Sequence, residues 1–411
     1  MKYPYTMFEV FGIELEYMIV NDSTLAVVPM SDILMKEIAG EITSDIEFGE
    51  ICWSNELVLH VIEFKTTDPV YKYEGFENKF LENIKRANNI LKKFKAKLLP
   101  SGAHPLMDPH KETKLWPHDS NEIYDAYNRI FDCRGHGWSN LQSTHLNLPF
   151  GNDEEFGLLH AAIRMVLPLI PALAASTPIL DGVITGFRDT RLEYYRKNQA
   201  RIPSLTGAVI PEQAFSLNDY SSKIFKKIYH DIEPFDKDDI MKYEWLNSRG
   251  AIARFDRGSI EIRIMDIQET PLADLAILDF IIGLIKSITE GKWGSYYLQK
   301  SFNEIQLSQI LLRTIKNAEK AIIDDEEYLD FFGITGSKKI AAELLEHIYL
   351  SLRSWRFLKD SYAPVIEKII ANGSLATRIL NEINKGGINS IPEIYNELSI
   401  NLANGKLYKV D

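Results

Sequence analysis

The sequence predicts an α+β fold built on a mainly antiparallel sheet, and three observations predict it. Strand-like and helical segments are interleaved with unequal lengths, unlike the even rhythm of a doubly wound parallel sheet. A hairpin turn is legible at Asp256-Arg257-Gly258, between two strand-like runs. Three separate runs, near residues 12, 143 and 260, alternate apolar and polar side chains, the pattern of a sheet with one covered face.

Taken in order, residues 8–20 alternate and give the first strand. Residues 56–65 (ELVLHVIEFK) are rich in β-branched and apolar types and give the next, residues 96–101 a short one, residues 142–148 another, and residues 251–266 the hairpin. Apolar residues at helical spacing cover 71–95, 153–175 and 272–290, the last two apolar enough for burial. From about residue 303 the pattern is helical throughout, over 303–320, 337–358, 362–372, 376–384 and 391–403. The chain therefore divides into a catalytic body, residues 1–295, and a helical region, residues 296–411, packed on it.

Composition narrows the function. The 411 residues allow one large domain or two to three small ones. The 46 Lys and Arg against 58 Asp and Glu leave a net charge of −12, which excludes a general nucleic-acid binder needing a surplus of cations. Hydrophobic residues at 45% and charged residues at 25% exclude disordered, collagen-like and coiled-coil classes. Cys52 and Cys133 are too few for a disulfide framework or a zinc knuckle and read as reduced thiols of a cytoplasmic protein. The N-terminus carries acids within its apolar stretch and no small-residue cleavage site. Residues 158–175 are interrupted by His160, Arg164, Pro168 and Pro171, which argues for a buried helix over a membrane span of about 20 apolar residues.

Side chains alternate across a strand, so residues i and i+2 share a face. Glu14 and Glu16 lie together, opposite Ile13, Leu15, Tyr17 and Ile19; Ser143, His145 and Asn147 lie opposite Thr144, Leu146 and Leu148; Glu261 and Arg263 lie opposite Ile260, Ile262 and Ile264. A solvated face explains any one strand. It does not explain all three, because the polar positions are acids, a histidine, an asparagine and an arginine rather than Lys, Thr and Ser. Such a set is a divalent-cation face. Glu56 and Glu63 add two carboxylates, but their spacing of seven puts them on opposite sides of a regular strand, so they meet only if the segment bends. At ~4 Å and an effective dielectric of ~20 a like pair costs roughly 4 kcal/mol, so the face needs cations or protons. Several Mg²⁺ ions on carboxylates imply a nucleoside triphosphate as co-ligand. The sequence has neither a P-loop nor a Rossmann glycine motif, so ATP would be held through metals and arginine.

A basic cluster completes the inventory. Residues 185–201 hold four arginines in 17 positions, Arg188, Arg191, Arg196 and Arg201. Guanidinium forks bind carboxylates and phosphates, and on a helix Arg188 and Arg191 share a face. The plain alternative is a solvated helix paired to Asp189 and Glu193.

At these residues the sequence resembles the glutamate–cysteine ligase superfamily, in the form also called carboxylate–amine ligases. Gly12-Ile13-Glu14-Leu15-Glu16 resembles its opening acidic strand, Glu56 and Glu63 its second acidic pair, Gly102-Ala103-His104-Pro105 its Gly-x-His-Pro element and Ser143-Thr144-His145-Leu146-Asn147 its histidine strand. Residues 172–178 with Gly186 to Arg191 resemble its Ala-rich Ser-Pro segment and substrate-binding arginine, and Ser259-Ile260-Glu261-Ile262-Arg263 its final Glu-x-Arg strand. All six stand in order over residues 8–290.

The resemblance implies a glutamine-synthetase-like fold, a curved antiparallel sheet forming a funnel, with ATP and two or three Mg²⁺ ions. It implies a γ-glutamyl phosphate intermediate attacked by an amine, cysteine by default. By position, Glu14, Glu16, Glu56, Glu63, His145 and Glu261 match metal ligands. Arg263, with Glu261, matches the catalytic pair at the transferred phosphate. Arg191, assisted by Arg201, matches the substrate carboxylate site. Asn147 stands where the common bacterial form often has a second histidine, so metal and nucleotide both stay open for it. His104 reads equally well as a structural histidine. Another amine under the same chemistry, or a metal-dependent hydrolase on the same face, are the alternatives. Partners are expected to be small molecules, with no nucleic acid and no membrane.

Overall fold

The computed structural model describes residues 2–119 and 121–410. Its centre is an eight-stranded sheet formed by β1 (Gly12–Asn21), β2 (Asp45–Phe48), β3 (Ile51–Asn55), β4 (Val61–Thr66), β5 (Ala96–Leu99), β6 (Ser143–Pro149), β9 (Ala251–Arg254) and β10 (Ser259–Asp266), with a separate hairpin β7 (Ile179–Leu180) and β8 (Val183–Ile184). The order is β2-β3-β4-β1-β6-β10-β9, with β5 beside the second half of β1, and the described strand pairs are antiparallel. The α+β class and the antiparallel sheet are as the alternation predicts; the sheet is open rather than closed.

The odd-numbered face of β1 supplies the covered side. Ile13, Leu15, Tyr17 and Ile19 are fully buried and belong to one core with Phe80, Ile84 and Leu91 of the helix Phe76–Leu91, Ile163 of Asp153–Val166 and Leu275 of Pro271–Thr289. Burying side chains of this size gives roughly 1.5–3 kcal/mol each, so the alternation itself fixes which face turns outward. On the even face the acids stop at Glu16. Met18 and Val20 are apolar and pack under Leu375, Ile379, Ile394 and Leu398 of the helices Leu375–Gly386 and Ile391–Asn404. One strand thus carries a polar cleft wall and an apolar seat for the C-terminal helices on the same face.

Residues Asp153–Ala174 are apolar and long enough to cross a membrane by length and composition alone, and 94% of their most apolar 18-residue stretch is buried inside the protein. The helical region is not helical throughout: β11 (Ile322–Ile323) pairs with β12 (Lys339–Ile340) in a small two-stranded sheet, too short to show alternation. The hairpin β2–β3, turning at Gly49 with φ 65°, also escaped the sequence pattern, since β2 (DIEF) is an exposed, charged edge strand. Arg188 and Arg191 do not share a helix face. The helix is Thr190–Tyr195, capped by Asp189, and Arg188 precedes it, donating to Thr377 Oγ1 at 2.7 Å. Cys52 and Cys133 are free buried thiols, and burial pushes Cys133 up to about 12.

Candidate active site

The register of the sheet assembles the polar wall. Glu14 sits between Lys65 of β4 and His145 of β6; Glu16 is opposite Glu63 of β4; Asn147 of β6 lies between Gly12 and Glu261. Opposed residues of an antiparallel pair point to the same side, so these rows form one surface. His145 Nδ1 is 2.8 Å from Glu14 Oε2 and 3.9 Å from Glu261 Oε1, and Nε2 is 3.8 Å from Glu16 Oε1. Asn147 Nδ2 donates to Glu14 Oε1 at 3.0 Å, and Arg263 Nη2 lies 3.0 Å from Glu261 Oε1.

The bend required for Glu56 is present. The strand predicted over 56–65 begins only at Val61; Val58 makes an isolated bridge to Leu115 and a turn follows at residues 59–60. The odd spacing of seven is thereby undone, and carboxylate oxygens of Glu16, Glu56 and Glu63 lie within 4.8 Å of one another. Glu14, Glu63 and His145 form a second such triad. Hard oxygen donors with one imidazole, converging twice on a space of ion size, fit divalent cations.

The electrostatics of the wall show the same deficit of positive charge. Burial, then the charges of Glu16 and Glu63, push the Glu56 carboxyl well above its ordinary value. Burial and Glu14 raise Glu63 to about 7 despite Lys65 and Ser54. Glu14 moves the other way: burial opposes it, but the hydrogen bond and charge of His145, with Lys65, hold it down at about 2. His145 is raised to about 9, since Glu14, Glu16 and Glu261 outweigh burial. A metal on His145 must displace that proton.

Strand β10 contains a device absent from its sequence pattern. Its register against β6 shifts between Ile262 and Met265, a bulge that reverses the alternation and sets Asp266 opposite Ser143, on the wall side. Asp266 is fully buried, pairs with Arg191 Nε, and accepts from Ser176 N, Ser176 Oγ and Thr177 Oγ1 at 2.8, 3.1 and 3.0 Å. A Cβ on Gly102 would stand 2.6 Å from the Asp266 carboxyl, so only glycine lets that loop close over it. Held by Asp266, Arg191 keeps Nη2 buried and without a partner at the cavity it lines.

Two cavities flank the wall. One, of about 250 Å³, is lined by Glu16, Glu56, His145, Arg191 and Arg263 on one side and Tyr124, Tyr127, Trp138, Tyr195 and Trp245 on the other. The second, of about 450 Å³, is lined by Gly12, Glu14, Lys65, Asn147, Pro149 and Arg257 among others. Lys65 is the residue that sequence reasoning missed. It shares a face with Glu63, two positions away, and its Nζ lies 2.7 Å from Glu63 Oε2; that i, i+2 spacing is the signal that could have found it.

Arg201 is not brought to the site. Its Nη1 donates to the Ile130 carbonyl at 2.8 Å and its guanidinium lies over the Phe235 ring, away from both cavities. The short helix ends at Tyr195, so a reach of ten residues from Arg191 leaves the cleft. His104 takes the structural role: Nε2 bonds the Leu25 carbonyl at 2.8 Å, Leu106 N donates to Nδ1 at 3.1 Å, and burial lowers it to about 4.

A family model described as glutamate-cysteine ligase family 2 matches residues 10–395. An uncharacterized protein of Archaeoglobus fulgidus is 32% identical over 389 residues, covering 95% of this chain and 97% of the relative. Among solved structures, the glutamate–cysteine ligase of Francisella tularensis in complex with AMP is similar with a TM-score of 0.62 at 12% identity, over 98% of this chain and 90% of that one. The bifunctional glutathione synthetase of Pasteurella multocida has a TM-score of 0.62 at 13% identity; the match covers 97% of this chain and 53% of that protein. At these identities the likeness to the solved structures is one of fold.

Proposed function

Because the chain belongs to glutamate–cysteine ligase family 2 and is an ATP-dependent carboxylate–amine ligase, we propose that it activates the γ-carboxylate of glutamate with ATP and passes the acyl group to an amine, cysteine being the family's reference. The observation that supports this best is the wall of carboxylates between two cavities, with Arg191 lining one of them.

Glu14, Glu16, Glu56, Glu63, His145 and Glu261 are the residues proposed to hold two or three Mg²⁺ ions. When bound, those ions neutralise the triphosphate and align it with the attacking carboxylate. The remaining work falls to the chain. The second cavity, with Gly12 at its floor, Asn147 on its wall and Lys65 and Arg257 as its cations, takes the nucleotide. Arg191, fixed by Asp266, binds a carboxylate of glutamate. Arg263, steered by Glu261 at 3.0 Å, stabilises the phosphoryl group in transfer. The carboxylate oxygen attacks the terminal phosphorus and ADP leaves. The amine then attacks the acyl carbon and phosphate departs.

The test is phosphate release from ATP with Mg²⁺, glutamate and a panel of amines. Release requiring both glutamate and an amine supports ligation; release independent of both points to a hydrolase. The aromatic side of the first cavity favours an amine other than cysteine.

A further inference from the structure

The first cavity has two unlike sides. On the wall side stand its charges, Glu16, Glu56, His145, Arg191 and Arg263. Opposite stands an aromatic group: the Tyr127 ring centroid is 5.2 Å from that of Trp138 and 5.8 Å from that of Trp245, and Tyr124 lies at the same cavity. Tyr124, Tyr127, Trp138 and Trp245 are each only partly buried and line this space, Trp138 stacked on Phe131 and Trp245 on Tyr243 behind it. Rings left half-covered in a concave site are a surface for a flat apolar ligand.

Charge accounting narrows that ligand, given the ligase reading above, on which this inference rests. Arg191 is committed to a glutamate carboxylate and Arg263 to the phosphoryl group. The third cation at the cavity, His145, belongs to the metal wall, and among the described residues no further one lines it, so the carboxylate of an amino acid such as cysteine would be buried without a partner. Glu16 and Glu56 belong to the metal wall, and no other acid lines the cavity, so the far ammonium of a polyamine would be equally unmatched. The uncharged polar residues at the cavity include Gln199, Ser248 and Asn198, whose backbone carbonyl accepts from Trp138 Nε1 at 3.2 Å.

We infer that the second substrate is an arylalkylamine with no charge other than its amine, seated between the Tyr127–Trp138–Trp245 group and the carboxylate wall. Its nitrogen lone pair forms the C–N bond to the acyl carbon. The C–O bond to phosphate breaks, and phosphate leaves with the electron pair and takes up the surplus proton of the amine.

The experiment compares phenethylamine, cysteine and putrescine in phosphate release with ATP, Mg²⁺ and glutamate, with hydroxylamine as a small trap for the acyl phosphate. Phenethylamine is expected to exceed the other two in kcat/KM at least tenfold. Hydroxamate formed from hydroxylamine, together with a kcat/KM for cysteine or putrescine equal to or above that for phenethylamine, overturns the amine class and leaves the ligase reading standing. Absence of both hydroxamate and amine-dependent phosphate overturns the two together. Trp138→Leu and, separately, Trp245→Leu are expected to raise KM for phenethylamine at least tenfold and KM for glutamate less than twofold; equal shifts in both constants mean a merely structural role and contradict the inference.

Discussion

Two of the places where the protein buries charge treat it in opposite ways. At the wall, the five acids Glu14, Glu16, Glu56, Glu63 and Glu261 are met, among the described residues, by His145, Lys65, Arg263 and, at 3.9 Å, Arg254, which also binds Asp256, and the surface opens on two cavities. Where the C-terminal helices meet the body, Glu269 and Arg378 are both fully buried and matched one to one. Arg378 Nη1 donates to Glu269 Oε1 at 2.5 Å and to the Tyr408 carbonyl at 2.6 Å, and Tyr408 N returns a bond to Glu269 at 3.2 Å. Buried charge alone therefore marks nothing. A shortage of counter-charge beside an accessible cavity marks a site for cations, whereas a closed, satisfied pair marks a joint.

Substitutions should separate the two. Glu16→Gln or Glu261→Gln is expected to lower turnover by roughly a thousandfold, the scale of losing a transition-state electrostatic contact, while the melting temperature stays or rises because a repelling charge is gone. Arg378→Ala should do the reverse, costing about 3–5 kcal/mol in denaturant unfolding by stranding Glu269, with a far smaller change in turnover per folded molecule. Magnesium should stabilise the wild type by about 2.7 kcal/mol at a hundredfold excess over its dissociation constant; thermal scans should show that gain in Arg378→Ala and not in Glu16→Gln.

Asp274 is a buried acid belonging to neither class. It accepts from Thr144 Oγ1 at 2.6 Å and Gln268 N at 3.0 Å, and burial raises it to about 8 despite them. The native state thus keeps a proton that the unfolded state releases near pH 4. Its stabilisation is full below pH 4 and is lost as pH rises toward 8, by at most ~1.4 kcal/mol per pH unit. Unfolding of Asp274→Asn measured across that range should show a flatter profile than the wild type.

The sequence made the wall legible because alternation is a local property: Glu14 with Glu16, His145 with Asn147 and Glu261 with Arg263 each declare a face within three residues. It made the main helices legible for the same reason. Features that depend on a break in periodicity were not legible. The turn at residues 59–60 joins Glu56 to Glu63, and the bulge after Ile262 brings Asp266 to the wall, yet neither leaves a glycine or proline as a sign. Arg201 was misplaced because a basic cluster gives proximity in sequence, while the end of the helix at Tyr195 decides where each side chain goes. The aromatic side of the first cavity was hidden because Tyr127, Trp138 and Trp245 come from distant segments with no shared pattern.

The central claim is that the wall serves to activate a carboxylate as its acyl phosphate. Incubation with ATP, Mg²⁺, glutamate and hydroxylamine tests it most directly. The account predicts γ-glutamyl hydroxamate and ADP in equal amounts, both lost in Glu16→Gln. ADP released without hydroxamate, or hydroxamate formed undiminished by Glu16→Gln, would contradict it.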